Sequence, residues 1–421
     1  MNQERQRIAV IGAGVSGLTA AWLLSEKHDI TLFEAGDYAG GHTNTEYVEA
    51  GGRTWPVNTG FIVFNDWTYP GFIKLMDRLG VASEVSDMSF SVDCQNSGLQ
   101  YNGTSLNTLF AQRRNLFNPS FLKMIREILR FNQETRADLA AGNIPEGQTL
   151  GEYLDRHGYS RYFRNYYIVP MGAAIWSAPE IVLEQFPIRF FLQFFNNHGM
   201  LSVDDRPTWR VISGGSATYV NRMMDRLGEC THLNSPVSSI QRDEDGVTIT
   251  SNGQQHRFDQ VILGCHSDQA LAMLSDATPE EREILGAIAY QKNDVVLHTD
   301  ASVLPSNRRA WAAWNYRIPG SNSEPVSVSY NMNILQNFHD APETFCVTLN
   351  RSHDIAPEKI IKRFEYDHPV FTLDAVAAQE RYDEIGNRNR THFCGAYWFN
   401  GFHEDGVQSA LRVTRAFGVE L

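Results

Sequence analysis

The first apolar cluster of the chain, Ile8-Ala9-Val10-Ile11, is short and ends at Gly12. Gly12-Ala13-Gly14-Val15-Ser16-Gly17 follows, then Leu18 to Leu24, rich in Ala and Leu. The pattern predicts a buried strand, a glycine turn and a helix. Ile30-Thr31-Leu32-Phe33 reads as a second strand ending in Glu34. Further on, Trp209 to Ile212 leads through Ser213-Gly214-Gly215-Ser216 into a helix over Tyr219 to Leu227. Strand-like runs then come at Asn234 to Ile240, Val247 to Thr250 and Gln260 to Leu263, with turns at Asp243 to Gly246 and Ser251-Asn252-Gly253. Thr391 to Gly395 reads as a strand ending at a glycine. Asp405 opens a last helix to about Phe417, and Asp405 and Gln408 have capping-box spacing.

Two stretches carry helical periodicity. Phe186, Phe190 and Phe194, with Phe191/Phe195 and Ile188/Leu192, merge into one wide apolar face, with Pro187 in the first turn. Such a stripe is a buried core helix, or else the wall of a tunnel for a long apolar substrate. Between Leu106 and Arg136, Arg113, Arg114, Lys123, Arg126, Arg130 and Arg136 interleave with Phe110, Leu116, Phe117, Phe121, Leu122, Ile125, Leu129 and Phe131. That stretch is either an amphipathic helix on a domain core or an interfacial helix on anionic lipid.

At 421 residues the chain is long enough for two domains. Its net charge of −13 tells against nucleic acid as a partner, since phosphate backbones want positive surfaces. Cys94, Cys230, Cys265, Cys346 and Cys394 are scattered and fit neither a disulfide framework nor a metal site. Glycines interrupt Ile8 to Leu24, and no later run has the length of a membrane span. The expectation is a cytoplasmic protein, able to sit on the inner membrane face if the basic stretch is interfacial.

Gly12, Gly14 and Gly17 stand where a dinucleotide fold needs a tight turn, close approach to a pyrophosphate, and close helix–strand packing. The helix N-terminus offers N–H groups to phosphates. Glu34, 22 residues after Gly12, has the place of the ribose-binding carboxylate and would repel a 2′-phosphate. A glycine-rich turn without a ligand is the plain alternative; strand, helix and Glu34 in register tell against it.

After Glu34 comes Ala35-Gly36-Asp37-Tyr38-Ala39-Gly40-Gly41-His42. Here the sequence resembles the flavin-containing amine oxidase and phytoene desaturase superfamily, whose Gly-Gly-Arg wraps the FAD phosphates. His42 replaces the arginine, which leaves a neutral hydrogen bond as the contact. The resemblance implies FAD as cofactor, with Val237 meeting the adenine and the last helix directed at the flavin ring. Ala396 stands where family members carry an acid for the ribityl chain. The cofactor set implied is Gly12, Gly14, Val15, Ser16, Gly17, Glu34, Ala35, Gly40, Gly41, His42, Thr59, Gly60, Phe61, Val237, Gly395, Gly406 and Val407. The fold implied is α/β: a discontinuous Rossmann-type FAD-binding domain (1–80, 206–275 and 385–421) with an inserted α+β substrate domain (81–205 and 276–384).

A closer match runs through Gly41-His42-Thr43, Asn58 to Asn65, Pro170 to Ser177, Trp311 to Tyr316 and Gly395 to Gly406. These segments resemble flavoproteins associated with cyclopropane-fatty-acid synthases. That likeness implies a fatty acyl lipid as substrate, desaturated by hydride transfer to flavin N5, and a lipid methyltransferase as partner. Flavin amine oxidation, redox-neutral double-bond isomerisation and a non-catalytic flavin-holding role stay open. Candidate bases are His298, His403 and Tyr397. The superfamily's amine oxidases use a lysine at the flavin. Of six lysines here, Lys292 alone sits beside a strand-like apolar run.

Overall fold

The computed structural model describes residues 5–177, 180–320 and 327–421. Arg7–Ile11 lies at the centre of a five-stranded sheet, ordered Thr231–His232, Asp29–Phe33, Arg7–Ile11, Gln260–Leu263 and Thr391–Phe393. Every pairing in it is parallel. Both faces are covered, which is why these strands are almost continuously apolar. Ile8, Val10, Leu32 and Ile262 face the helices Val15–Leu24, Ala217–Leu227 and His403–Ala416. Ala9, Ile11, Phe33, Val261 and Leu263 face the antiparallel strands Val237–Asp243, Gly246–Ser251 and Gln254–Phe258. The turn before Gln254 takes Asn252 and Gly253 at φ 49° and 76°, the left-handed pair that Asn-Gly favours.

The last helix begins at His403, two residues earlier than the capping pattern suggests. Asp405 lies inside its first turn and accepts the Phe402 N–H at 2.8 Å. Beside it, Glu404 accepts the Gly71 and Phe72 N–H groups at 2.9 and 2.7 Å, capping the helix Pro70–Leu79.

A seven-stranded sheet forms the second body, ordered Ile360–Val370, Ala289–His298, Cys346–Leu349, Ser327–Asn331, Trp314–Ile318, Phe90–Cys94 and Gln100–Asn102. The five-stranded sheet draws only on 1–80, 206–275 and 385–421; the seven-stranded sheet draws only on the two inserted segments. A small sheet crosses the division, because Trp209–Ile212 pairs with both Val63–Asn65 and Ser83–Val85.

The phenylalanine stripe forms the helix Ile188–Asn197, with Pro187 just before it. Phe186, Ile188, Phe191, Leu192, Phe194 and Phe195 are all core residues, so the face is chiefly packing. The basic stretch breaks into Leu106–Leu109, a tight turn of helix at Arg113–Phe117, and Pro119–Ala141. The long helix buries Phe121, Met124 and Phe131 and is an ordinary packed helix. The two short pieces ahead of it leave Leu106 76% and Phe117 87% exposed.

Candidate functional site

Past the carboxyl ends of the parallel strands lies a cavity of about 730 Å³. The glycine turn forms one end of it. Gly12 takes φ 96°, and a Cβ there would come within 3.0 Å of the Gly264 carbonyl. A Cβ on Gly17 would stand 1.9 Å from the Gly12 carbonyl oxygen. Gly14 differs: no atom lies within 4 Å of where its Cβ would be, and the residue lines the cavity. Gly40 donates its N–H to the Ala13 carbonyl at 2.7 Å, and a Cβ on Gly41 would sit 3.2 Å from Gly14 Cα. The glycine pair is thus folded directly onto the first turn. Glu34 ties the turn together, accepting the Ala13 N–H at 2.7 Å with one oxygen and the Gly36 N–H at 2.8 Å with the other.

Gly12, Gly14, Val15, Ser16, Glu34, Ala35, Gly40, Gly41, His42, Thr59, Gly60, Phe61, Val237 and Gly395 all line the cavity. Gly17 does not; its part is helix–strand packing. Gly406 and Val407 lie off the cavity as well. A Cβ on Gly406 would meet Val15 Cγ1 at 2.6 Å, so this glycine lets the last helix close on the first, and Val407 is fully buried core. In the fold these two residues pack the last helix against the first helix and the core.

The cradle fits a flavin dinucleotide. The free N–H groups of the first helical turn at Val15 and Ser16 suit a diphosphate. Glu34 and Val237 close one end, and the open space at Gly14 belongs to no side chain.

His42 is neutral, because burial holds its pKa well below the usual imidazole value, with His368 and His266 adding to the effect. Its ring packs 4.8 Å from Tyr366 and 5.5 Å from His368. His198, His266, His368 and His403 also line the cavity, and burial lowers the pKa of each, to about 4 for His198 and His368 and about 3 for His403.

The candidate bases separate. His403 lines the cavity, stacked on Phe61 at 3.5 Å, with Nε2 held 2.8 Å from Thr43 Oγ1 and 3.0 Å from the Tyr219 hydroxyl. Tyr397 also lines it; its buried hydroxyl has no hydrogen-bond partner among the described residues, and burial keeps the phenol protonated. His298 is not at the cavity. Alternation along Ala289–His298 sends Val295 to the cavity and His298 to the opposite face. There its Nε2 lies 2.8 Å from Thr348 Oγ1 and its Nδ1 accepts the Asp300 N–H. Lys292 shares that outward parity and pairs with Glu365 at 2.6 Å in solvent.

The far half joins residues of the phenylalanine stripe and the matched segments, Phe194, Trp176, Trp314 and Phe402, to residues that sequence reasoning did not single out, among them Tyr330, Leu349, Tyr366, Met200 and Phe371. One face of the seven-stranded sheet brings Trp314, Tyr330, Leu349, Val295 and Tyr366 to the cavity, with Trp314 and Tyr330 directly opposed on neighbouring strands. Facing them are Trp176, Phe194, Met200, Phe371 and Phe402. Strand alternation was the available signal for Tyr366 and His368, which lie two residues apart.

The sequence model of the family described as flavin containing amine oxidoreductase matches residues 15–416. Amine oxidase [flavin-containing] A of Canis lupus familiaris is 24% identical over 272 residues, 61% of this chain and 48% of that protein. The matched region thus spans about half the length of that relative. Two solved structures share the fold. Cyclohexylamine oxidase from Brevibacterium oxydans superposes with a TM-score of 0.68 at 16% identity, covering 98% of both chains. A fatty acid isomerase from P. acnes that produces CLA superposes with a TM-score of 0.70 at 19% identity, covering 98% of this chain and 99% of that one.

Proposed function

The chain belongs to the flavin-containing amine oxidoreductase family, and from that premise we propose that this FAD-dependent oxidoreductase acts on the acyl chain of a lipid, desaturating it. The observation that supports the reading is the far half of the cavity. Its wall is Ile62, Val63, Met88, Trp176, Phe194, Val295, Leu349, Phe371 and Phe402, an apolar surface suited to a hydrocarbon chain. Among the described residues no lysine lines it, which counts against the amine-oxidase reading of this site.

Bound FAD supplies the hydride acceptor. The protein's part is to hold and to exclude. Glu34 and the first helical turn fix the dinucleotide end. Phe61 and His403 form a rigid stacked wall, since Thr43 and Tyr219 pin the imidazole. His368 is placed by Asn293, whose Nδ2 lies 3.2 Å from His368 Nδ1 and whose Oδ1 accepts from Asn350 Nδ2. Cys265 is no nucleophile, as burial pushes its thiol pKa up to about 12. Incubating the holoenzyme with unsaturated and methylated phospholipids, then weighing the acyl products, tests the reading. Loss of two hydrogens supports desaturation; an unchanged mass with a moved double bond supports isomerisation.

Among the described residues no helix is long and apolar enough to cross a membrane. We propose that the protein meets its lipid at the bilayer surface through Leu106, Leu116 and Phe117. What supports this is the exposure of those side chains beside Arg113 and Arg114, in a protein of net charge −13.

A further inference from the structure

The charge inventory of the cavity is one-sided. Among the described residues neither lysine nor arginine lines it. The five imidazoles at its wall are held neutral by burial. The charged groups present are both acidic: Glu34, at the nucleotide end, and Asp367. A bound dinucleotide adds the negative charge of its diphosphate. A free carboxylate brought into this space would meet no cation, and an unpaired buried charge costs several kcal/mol. An ester carbonyl carries no such penalty and needs only one donor.

The structure holds a donor of that kind. Tyr330 lines the apolar half of the cavity from the strand Ser327–Asn331, and its hydroxyl has no protein partner among the described residues. Trp314, directly across on the neighbouring strand, meets it edge to face at 4.9 Å and fixes the phenol against the sheet. Burial keeps that phenol protonated.

We infer that the substrate enters as an uncharged acyl ester whose carbonyl accepts the Tyr330 O–H, and that free carboxylates are excluded. The inference rests on the acyl reading above and adds to it the state of the substrate's polar end. The test is binding to the FAD-loaded enzyme, read from the change in flavin absorbance on titration with methyl palmitate, palmitate and hexadecane. The pH is mildly alkaline, where the acid is ionised. The ester is expected to bind at least about tenfold more tightly than palmitate. Tyr330→Phe is expected to weaken ester binding about tenfold, as loss of one hydrogen bond to a buried carbonyl should, and to leave FAD content unchanged. Equal affinity for ester and palmitate in the wild type overturns the inference without any variant. So does an ester affinity that Tyr330→Phe leaves unchanged. In both cases the acyl reading stands. Failure of all three compounds to bind overturns the acyl reading and the inference together.

Discussion

A side-chain carbon on Gly17 would stand 1.9 Å from the Gly12 carbonyl oxygen, a distance no folded chain tolerates. Gly14, between them, has open space where its side chain would be. The two glycines should therefore fail differently. Gly17→Ala is expected to abolish soluble folded protein. Gly14→Val is expected to give a folded protein without FAD, because its side chain fills the cavity. Circular dichroism and flavin content after denaturation separate the outcomes; full FAD occupancy in Gly14→Val would contradict the assignment of the cradle.

Glu34 accepts two backbone N–H groups with two different oxygens. Glu34→Gln keeps one acceptor and turns an amide N–H toward the other donor. A hydrogen bond to a charged group contributes about 1.5–3 kcal/mol, so FAD affinity should fall roughly 10- to 100-fold. Apoprotein titrated with FAD measures this, and unchanged affinity would show that Glu34 holds neither turn nor cofactor.

Much of this end was legible in the sequence, since close backbone approach leaves a glycine signature and a dinucleotide fold fixes where its acid stands. The far half was less so. The motif segments Pro170 to Ser177 and Trp311 to Tyr316 do reach the cavity, through Trp176 and Trp314, but their meeting is set by tertiary packing. Tyr330 and His198 had no local mark at all, and His368 had only its strand alternation with Tyr366. His298 misled for a plain reason: an apolar strand with a histidine at its end does not say which face the histidine takes.

Asp405 is half-buried beside the buried Glu404 in the first turn of the last helix, and desolvation raises its pKa from 3.8 to about 7. A carboxyl raised on folding favours the protonated native state, so its contribution is fully present below the unfolded value and is lost as pH rises toward 7. Asp405→Asn keeps the acceptor for the Phe402 N–H without the charge. Between pH about 5 and 8 the wild type should lose more thermal stability than this variant, by on the order of a few kcal/mol. Parallel melting curves for the two proteins would contradict the assignment.

Phe117 and Leu106 stand in solvent beside two arginines. Phe117→Ser with Leu106→Ser should weaken binding to vesicles rich in phosphatidylglycerol, and Arg113→Gln with Arg114→Gln should do the same, at about 1 kcal/mol per charge. Vesicle co-sedimentation at low salt decides it. A wild type that stays in the supernatant ends the interfacial proposal and leaves the enzyme reading untouched.

The central claim is that a flavin and a hydrocarbon chain share one cavity. Phe194 sits in its apolar half, stacked on His198 and Phe402 at 3.9 and 4.8 Å. The most direct measurement is anaerobic mixing of the holoenzyme with unsaturated or methylated phospholipid, and separately with primary amines, while the oxidised flavin band is followed. The account predicts bleaching by lipid, none by amines, and at least about tenfold slower bleaching by lipid in a Phe194→Asp variant that still carries FAD, the effect of burying a charge in the chain's path. Rapid bleaching by a simple amine, with no response to any acyl lipid, would contradict it.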